Sequence, residues 1–263
     1  MDKELLAKKF CPTLRFHREE KYTPTNFIEL FKKNKSKIEF KCPNPEEKWK
    51  KKAKFDKKTG LLWFAPAIYV HFLEDVGILI RHKIVQVSLI IQYHFYFAYN
   101  EYQWGIIQVP FLMHPHDWEQ IMVALNKAGE LVSFSVSAHG TLLEICSGNE
   151  LQQCMIEGFR CNKGSHNFGS IFQTPNKPQK EDIIITPETL VPIGNGEYIP
   201  FKDTIIILEN KYDIEFLKKF SFYPIIPPWE RYSYNPTTWK PKYWSKSPFQ
   251  RFIELSKDEK GAP

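Results

Sequence analysis

The stretch His114-Pro115-His116-Asp117-Trp118-Glu119, running on into Gln120-Ile121-Met122-Val123-Ala124-Leu125, decides how the chain reads. His114, His116, Asp117 and Glu119 could each bind a metal or move a proton, and they fall within six residues. Side chains alternate with period two along a strand, so the entry to a strand here sends Asp117 and Glu119 to one face and His116 and Trp118 to the other. The chain then turns through Asn126 to Glu130 and returns over Leu131 to His139. Val132, Phe134, Val136 and Ala138 alternate there with Ser133, Ser135, Ser137 and His139, the pattern of a half-buried strand. If Leu125 faces Leu131 across the turn, the register sets His139 opposite Asp117 and Ser137 opposite Glu119 on one face.

Upstream lies the longest periodic segment. Val85, Val87, Leu89, Ile91, Tyr93, Phe95, Phe97 and Tyr99 occupy the odd positions, while Gln86, Ser88, Gln92, His94 and Asn100 fall on even ones. This predicts a long central strand with a dry face and a polar face. Shorter strands are expected at 13–17, 61–65, 67–71, 183–185 and 204–208. A helix is expected over 3–10, stopped before Pro12, with a second opening at Asn26 as N-cap with Glu29 three residues on and a third over 213–220. Strand runs without regular intervening helices point to a mainly β chain, a single-domain antiparallel β-sandwich with a few peripheral helices. With 263 residues the chain fits within one core, whose upper size is roughly 250 to 300 residues, so one domain over 1–263 is expected. The aromatic and Pro-rich segment 223–263 is expected to plate the outside of a sheet.

Hydrophobic residues at 43% and charged residues at 25% exclude a disordered chain. The opening residues lack the apolar run of a signal peptide, so a cytoplasmic setting is expected. The run 85–99 carries too many polar residues for a transmembrane segment. Five cysteines without a Cys-x-x-Cys pair are expected as buried thiols, with a Cys154–Cys161 bridge left open. The net charge is +6, yet 12 lysines against 4 acids between Lys32 and Lys58 give a local +8, so the remainder of the chain is at −2. This Lys-rich segment reads as a solvated loop that folding does not need. Its functional reading is contact with an anionic surface through Lys50, Lys51, Lys52 and Lys54, with Trp49 and Phe55 as aromatic partners, and peripheral membrane association would follow. One lysine run does not point to nucleic acid.

Oxygen ligands from Asp117 and Glu119, helped by Asn100 and an imidazole, suit a hard divalent ion such as Ca²⁺ or Mg²⁺. A set richer in histidine would suit zinc or iron. His94, His116, His139 and Ser137 are further candidates to line such a cavity.

The segments Ile91 to Asn100, then His114-x-x-Asp117-Trp118-Glu119, then Ser137-Ala138-His139-Gly140 resemble the core shared by two groups. One is the vacuolar protein sorting-associated protein sixty-two family, with an aromatic strand ending in Tyr-Asn before an Asp-Trp-Glu block. The other is the necrosis-inducing cytolysin family, with Gly-His-Arg-His-Asp-Trp-Glu followed by Ser-x-His-Gly. Ala7-x-x-Phe10-x-Pro12-x-Leu14 and Glu20-x-Tyr22-x-Pro24 resemble the first family specifically. The likeness covers residues 7–24 and 91–140. It implies a β-sandwich and, from the cytolysins, a divalent cation held by His114, Asp117 and Glu119. Asn100 stands where those proteins carry an upstream Asp, Pro115 replaces the Arg, and Met113 the leading Gly. The cytolysins are secreted and bind glycosylated sphingolipids of plant membranes.

Two functions are compatible with these residues. One is a non-catalytic, divalent-cation-dependent binding protein that recognises a polar lipid or glycan headgroup. The other is a metal-dependent hydrolase in which His114, His116 and Asp117 hold the ion and Glu119 or His139 is general base.

Overall fold

The computed structural model describes residues 2–26, 29, 49–80, 83–101, 103–104, 107–108, 114–138, 141–170 and 181–207. Residues 75–80, 83–84, 103–104, 107–108, 114–116, 137–138, 141–145 and 170 are described by backbone alone. In chain order the elements are α1 (Lys3–Lys9), β1 (Leu14–Phe16), β2 (Lys54–Phe55), β3 (Leu62–Trp63), β4 (Ile68–Ile80), β5 (Lys83–Asn100), β6 (Gln103–Trp104), β7 (Ile107–Gln108), β8 (His114–Leu125), β9 (Leu131–Ala138) and β10 (Thr141–Ser147). They continue with α2 (Leu151–Glu157), β11 (Phe159–Cys161), β12 (Phe168–Ser170), β13 (Ile183–Ile185), β14 (Leu190–Gly194), β15 (Glu197–Pro200) and β16 (Ile205–Ile207). The chain is mainly β, as its patterning indicates.

A six-stranded sheet in the order β10-β9-β8-β5-β4-β16 faces a four-stranded sheet in the order β12-β11-β1-β13. The long strand predicted from the alternation is β5, flanked antiparallel by β4 and β8. Its odd residues Leu89, Ile91, Tyr93, Phe95 and Phe97 are buried, and Phe95 and Phe97 meet Phe168 of β12 with ring centroids 5.2 and 6.5 Å apart. Phe134 of β9 meets Phe159 of β11 edge-on at 5.2 Å. Each such buried ring is worth about 1.5–3 kcal/mol, so these contacts hold the two sheets face to face. Not every pairing is antiparallel as expected: β16 joins β4, and β1 joins β11, in parallel. Parallel partners need a long crossover, and these strands are far apart in sequence.

The polar face of β5 is exposed at Gln86 and half-buried at Ser88, and becomes buried further along the strand. Gln92 and His94 lie there at 1% and 2% exposure, with Gln120, Ser133 and Ser135 of the neighbouring strands. Burying amides and imidazoles requires hydrogen bonds, and Gln92 makes two: its Oε1 accepts from His71 Nδ1 at 2.8 Å and its Nε2 donates to Met122 Sδ at 3.7 Å.

Helix α1 begins where Asp2 accepts from the Glu4 and Leu5 N–H groups, and its buried residues Leu6 and Ala7 face the sandwich, where Tyr93 donates to the Ala7 carbonyl at 2.8 Å. The Asn26 cap is present, accepting from Glu29 N–H at 3.1 Å. Most of the Lys-rich segment and all of 208–263 lie outside the described residues. Its described part, 49–58, packs where a solvated loop was expected. Trp49 is buried against Tyr22 at 5.1 Å, β2 pairs with β3, and Trp63 Nε1 donates to Thr59 at 3.1 Å. Cys154 is bonded to Cys146, not to Cys161, which stays a buried thiol like Cys11. Among the described residues no helix is long and apolar enough to cross a membrane.

Candidate functional site

Strand pairing sets Asp117 beside Phe97 and Glu119 beside Phe95, so both carboxylates share the face that looks toward the smaller sheet. Each is buried to 6% exposure, while Trp118 on the other face packs on Tyr69 and Tyr96. The predicted parity of Asp117, Trp118 and Glu119 therefore stands. Asp117 lies between the sheets and not, as a cation cavity would suggest, open to a wide cleft.

What fills this space comes from a turn the sequence did not single out. After β11 the chain closes a tight loop in which Asn162 N–H donates to Asn167 and His166 N–H donates to Asn162. Gly164 has φ +73° and His166 φ +53°, both left-handed. A Cβ at Gly164 would run into the Glu101 carbonyl, whose residue donates its own N–H to Gly164 O at 2.8 Å, so only Gly fits there. His166 carries backbone strain that its side-chain contacts must offset.

Those contacts are extensive. The His166 ring is fully buried, lies flat on Phe97 with centroids 4.0 Å apart and planes within 2°, and meets the edge of Tyr22. Its Nδ1 is 2.9 Å from Asp117 Oδ2 and its Nε2 is 3.3 Å from Glu20 Oε1. Both ring nitrogens face carboxylates, which is the pairing of an imidazolium donating twice. Burial alone would lower its pKa, but the charge of Glu20 and the hydrogen bonds to Asp117 and Glu20 outweigh burial and push it up to about 9. Glu20 would be raised by burial. The His166 charge, the His166 hydrogen bond and the Gly164 and Tyr22 N–H groups hold it below its ordinary value instead. Glu20 Oε1 accepts from Lys21 and Tyr22 N–H at 2.8 and 3.0 Å, and Oε2 from Gly164 N–H at 2.8 Å.

Asn100, at the end of β5, donates Nδ2 to Asp117 Oδ2 at 3.2 Å. Both bonds to Asp117 thus fall on one oxygen. The Asn100 Oδ1 is buried without a donor, a loss of about 1–3 kcal/mol unless a water or a cation meets it. An acceptor of that kind beside a carboxylate is a hard-oxygen ligand pair of the type Ca²⁺ or Mg²⁺ takes. Burial pushes the Cys161 thiol beneath this cluster well above its ordinary range, with Glu20, Glu119 and Asp117 adding to the rise, so it is no nucleophile.

The other candidates divide. His94 pairs with Gln120 on the opposite face from Asp117, so it does not join the site. His114 and His116 lie in the backbone of β8 and Ser137 in that of β9, with side chains outside the description, and His139 lies outside the described residues altogether. Leu125 does face Leu131, but a register shift between Ala124 and Leu125 offsets the strands, so Met122 meets Ser135 and Ile121 meets Val136. The pairing of Ser137 with Glu119 is lost by that one residue. Lys50, Lys51, Lys52 and Lys54 are exposed, as expected of a contact surface, whereas Trp49 among them is core. Glu20 was visible in the sequence only as part of the Glu20-x-Tyr22-x-Pro24 resemblance. His166 gave no signal beyond a Gly-containing turn. It lies 146 residues from Glu20 and 49 from Asp117.

No family model, curated protein or solved structure matches the chain, so the resemblance to the two families rests on its motif residues alone.

Proposed function

We propose that the protein is a non-catalytic, divalent-cation-dependent binding protein for a polar lipid or glycan headgroup. The observation that supports this reading is the buried Asn100 Oδ1, which lacks a donor beside a carboxylate whose two hydrogen bonds leave its other oxygen out. Asn100 and Asp117 would hold the ion, with Glu119 and His114 as the remaining ligands expected from the sequence. A hard divalent ion there would supply positions for headgroup oxygens. Binding is favoured over hydrolysis because the best-described imidazole, His166, has both nitrogens committed to carboxylates and cannot take a proton from water.

Melting the protein with excess calcium, magnesium or zinc tests the reading. At a hundredfold excess over Kd the folded state gains about 2.7 kcal/mol, roughly 5–10 °C for a chain of this size. Asn100→Leu, which keeps the side-chain size and removes the oxygen, abolishes the rise. If none of the three ions shifts the wild type, water meets Asn100 Oδ1 and the cation reading is lost.

A further inference from the structure

We infer that the end of the molecule formed by the β2–β3 turn and the β14–β15 hairpin is a docking surface for an anionic lipid bilayer. The inference rests on the headgroup-binding reading above and names its partner, but uses residues remote in sequence from the buried acidic cluster. Between residues 50 and 58 stand six lysines, Lys50, Lys51, Lys52, Lys54, Lys57 and Lys58, against the single acid Asp56. Asp56 does not offset them at the surface. It is 2% exposed, accepting from Lys58 N–H at 2.9 Å and from Thr59 hydroxyl at 3.1 Å. The turn is also held in place, since Trp49 on one side and Trp63 on the other are core residues. Its lysines are therefore presented on a fixed frame, which lowers the entropy lost on docking.

An apolar side chain, Phe55, directly follows Lys54 in β2. Phe55 is 62% exposed, and on the neighbouring hairpin Leu190, Ile193 and Tyr198 are 44, 40 and 44% exposed. The two hairpins meet where Lys58 Nζ lies 5.8 Å over the Tyr198 ring. Glu197 is the one acid of residues 190–200 and is exposed, and across from it Lys51, Lys54, Lys57 and Lys58 are exposed as well. Lysines that meet lipid phosphates and carboxylates, with a Phe and a Tyr that enter the headgroup layer, complement an anionic membrane surface. A nucleic acid would take the lysines and could stack on Phe55, but it offers Leu190 and Ile193 nothing comparable.

Co-sedimentation of the full chain with phosphatidylcholine vesicles, with and without phosphatidylserine, tests this, with melting curves to show that each variant folds. Wild type binds the phosphatidylserine vesicles, more weakly as salt rises. Each lysine near the surface is worth about fivefold in affinity, so the triple variant Lys54→Gln, Lys57→Gln, Lys58→Gln binds about a hundredfold more weakly. Phe55→Ser costs about tenfold and leaves the salt dependence unchanged. Equal binding by wild type and the triple variant overturns the surface while leaving headgroup recognition standing. Wild-type binding that a single-stranded oligonucleotide abolishes, and that Phe55→Ser does not weaken, also overturns it in favour of a polyanion site. If wild type binds a headgroup in a cation-dependent way but no phosphatidylserine vesicle, this inference fails alone. If it binds neither, the function reading fails with it.

Discussion

Replacing His166 by Asn removes the imidazolium while keeping a residue type that tolerates the left-handed backbone at this position. The wild-type ring gains its proton affinity from folding, with its pKa moving from 6.5 to about 9. A group raised on folding contributes stability that is fully present below its unfolded pKa and is lost as pH climbs through its folded one. The window therefore runs from about pH 6.5 to 9, and a rise of that size is worth about 3 kcal/mol. Urea unfolding in steps between pH 6 and pH 10 measures it. Burial also raises the Cys11 and Cys161 thiols, so they too withdraw stability once the unfolded chain ionises them, above about pH 9. They do so in wild type and variant alike, and the difference between the two curves isolates His166. Near pH 6 His166→Asn should be less stable by about 3–5 kcal/mol, since two buried carboxylates lose their partner, and the gap should narrow by about 3 kcal/mol by pH 10. A gap that stays constant across this range refutes the imidazolium assignment.

The acid side has the opposite sign. Glu20 is depressed by folding, so its contribution is present above the usual 4.5 and lost as pH falls through its lower folded value, and Glu20→Gln should flatten the unfolding curve below about pH 4.5. Gly164→Ala should destabilise by about 3 kcal/mol or more, read as a fall in urea midpoint, because the new Cβ meets the Glu101 carbonyl at a left-handed backbone position. A midpoint within error of wild type would show that the 162–167 turn can relax without moving His166.

The strand pattern of 85–99, 117–119 and 131–139 was legible because one hydrophobic face repeated over many residues leaves no other way to bury it. It gave β5, β8, the shared face of Asp117 and Glu119 and the burial of Trp118. The bulge at Ala124/Leu125 was not legible, since the alternation of β9 shows which of its residues share a face but not which face of β8 they join. Nor was the burial of Gln92 and His94, because alternation records which side chains are polar and not what lies over them. Trp49 was mistaken for a surface aromatic because lysines surround it in sequence. In space its neighbour is Tyr22. The His166–Glu20 contact, across 146 residues, has no local pattern at all.

A buried ion network is a poor way to gain stability, since apolar residues of the same volume often do as well or better. The trio of Glu20, His166 and Asp117 is better understood by what it specifies. Each member comes from a different part of the chain: the segment after β1, the turn after β11 and the strand β8. One imidazolium satisfied by two carboxylates at 2.9 and 3.3 Å admits a single arrangement of those three parts, whereas apolar side chains could slide past one another. Fixing them sets Asp117 so that its hydrogen bonds converge on Oδ2, and turns the Nδ2 of Asn100 toward it with Oδ1 directed elsewhere. The strained φ of His166 is tolerated for the same reason, because the ring is fixed by Phe97 below and a carboxylate at each nitrogen. The buried charges thus act as the mould for the bare Asn100 Oδ1, and the strength of that mould is what the pH dependence of His166→Asn measures.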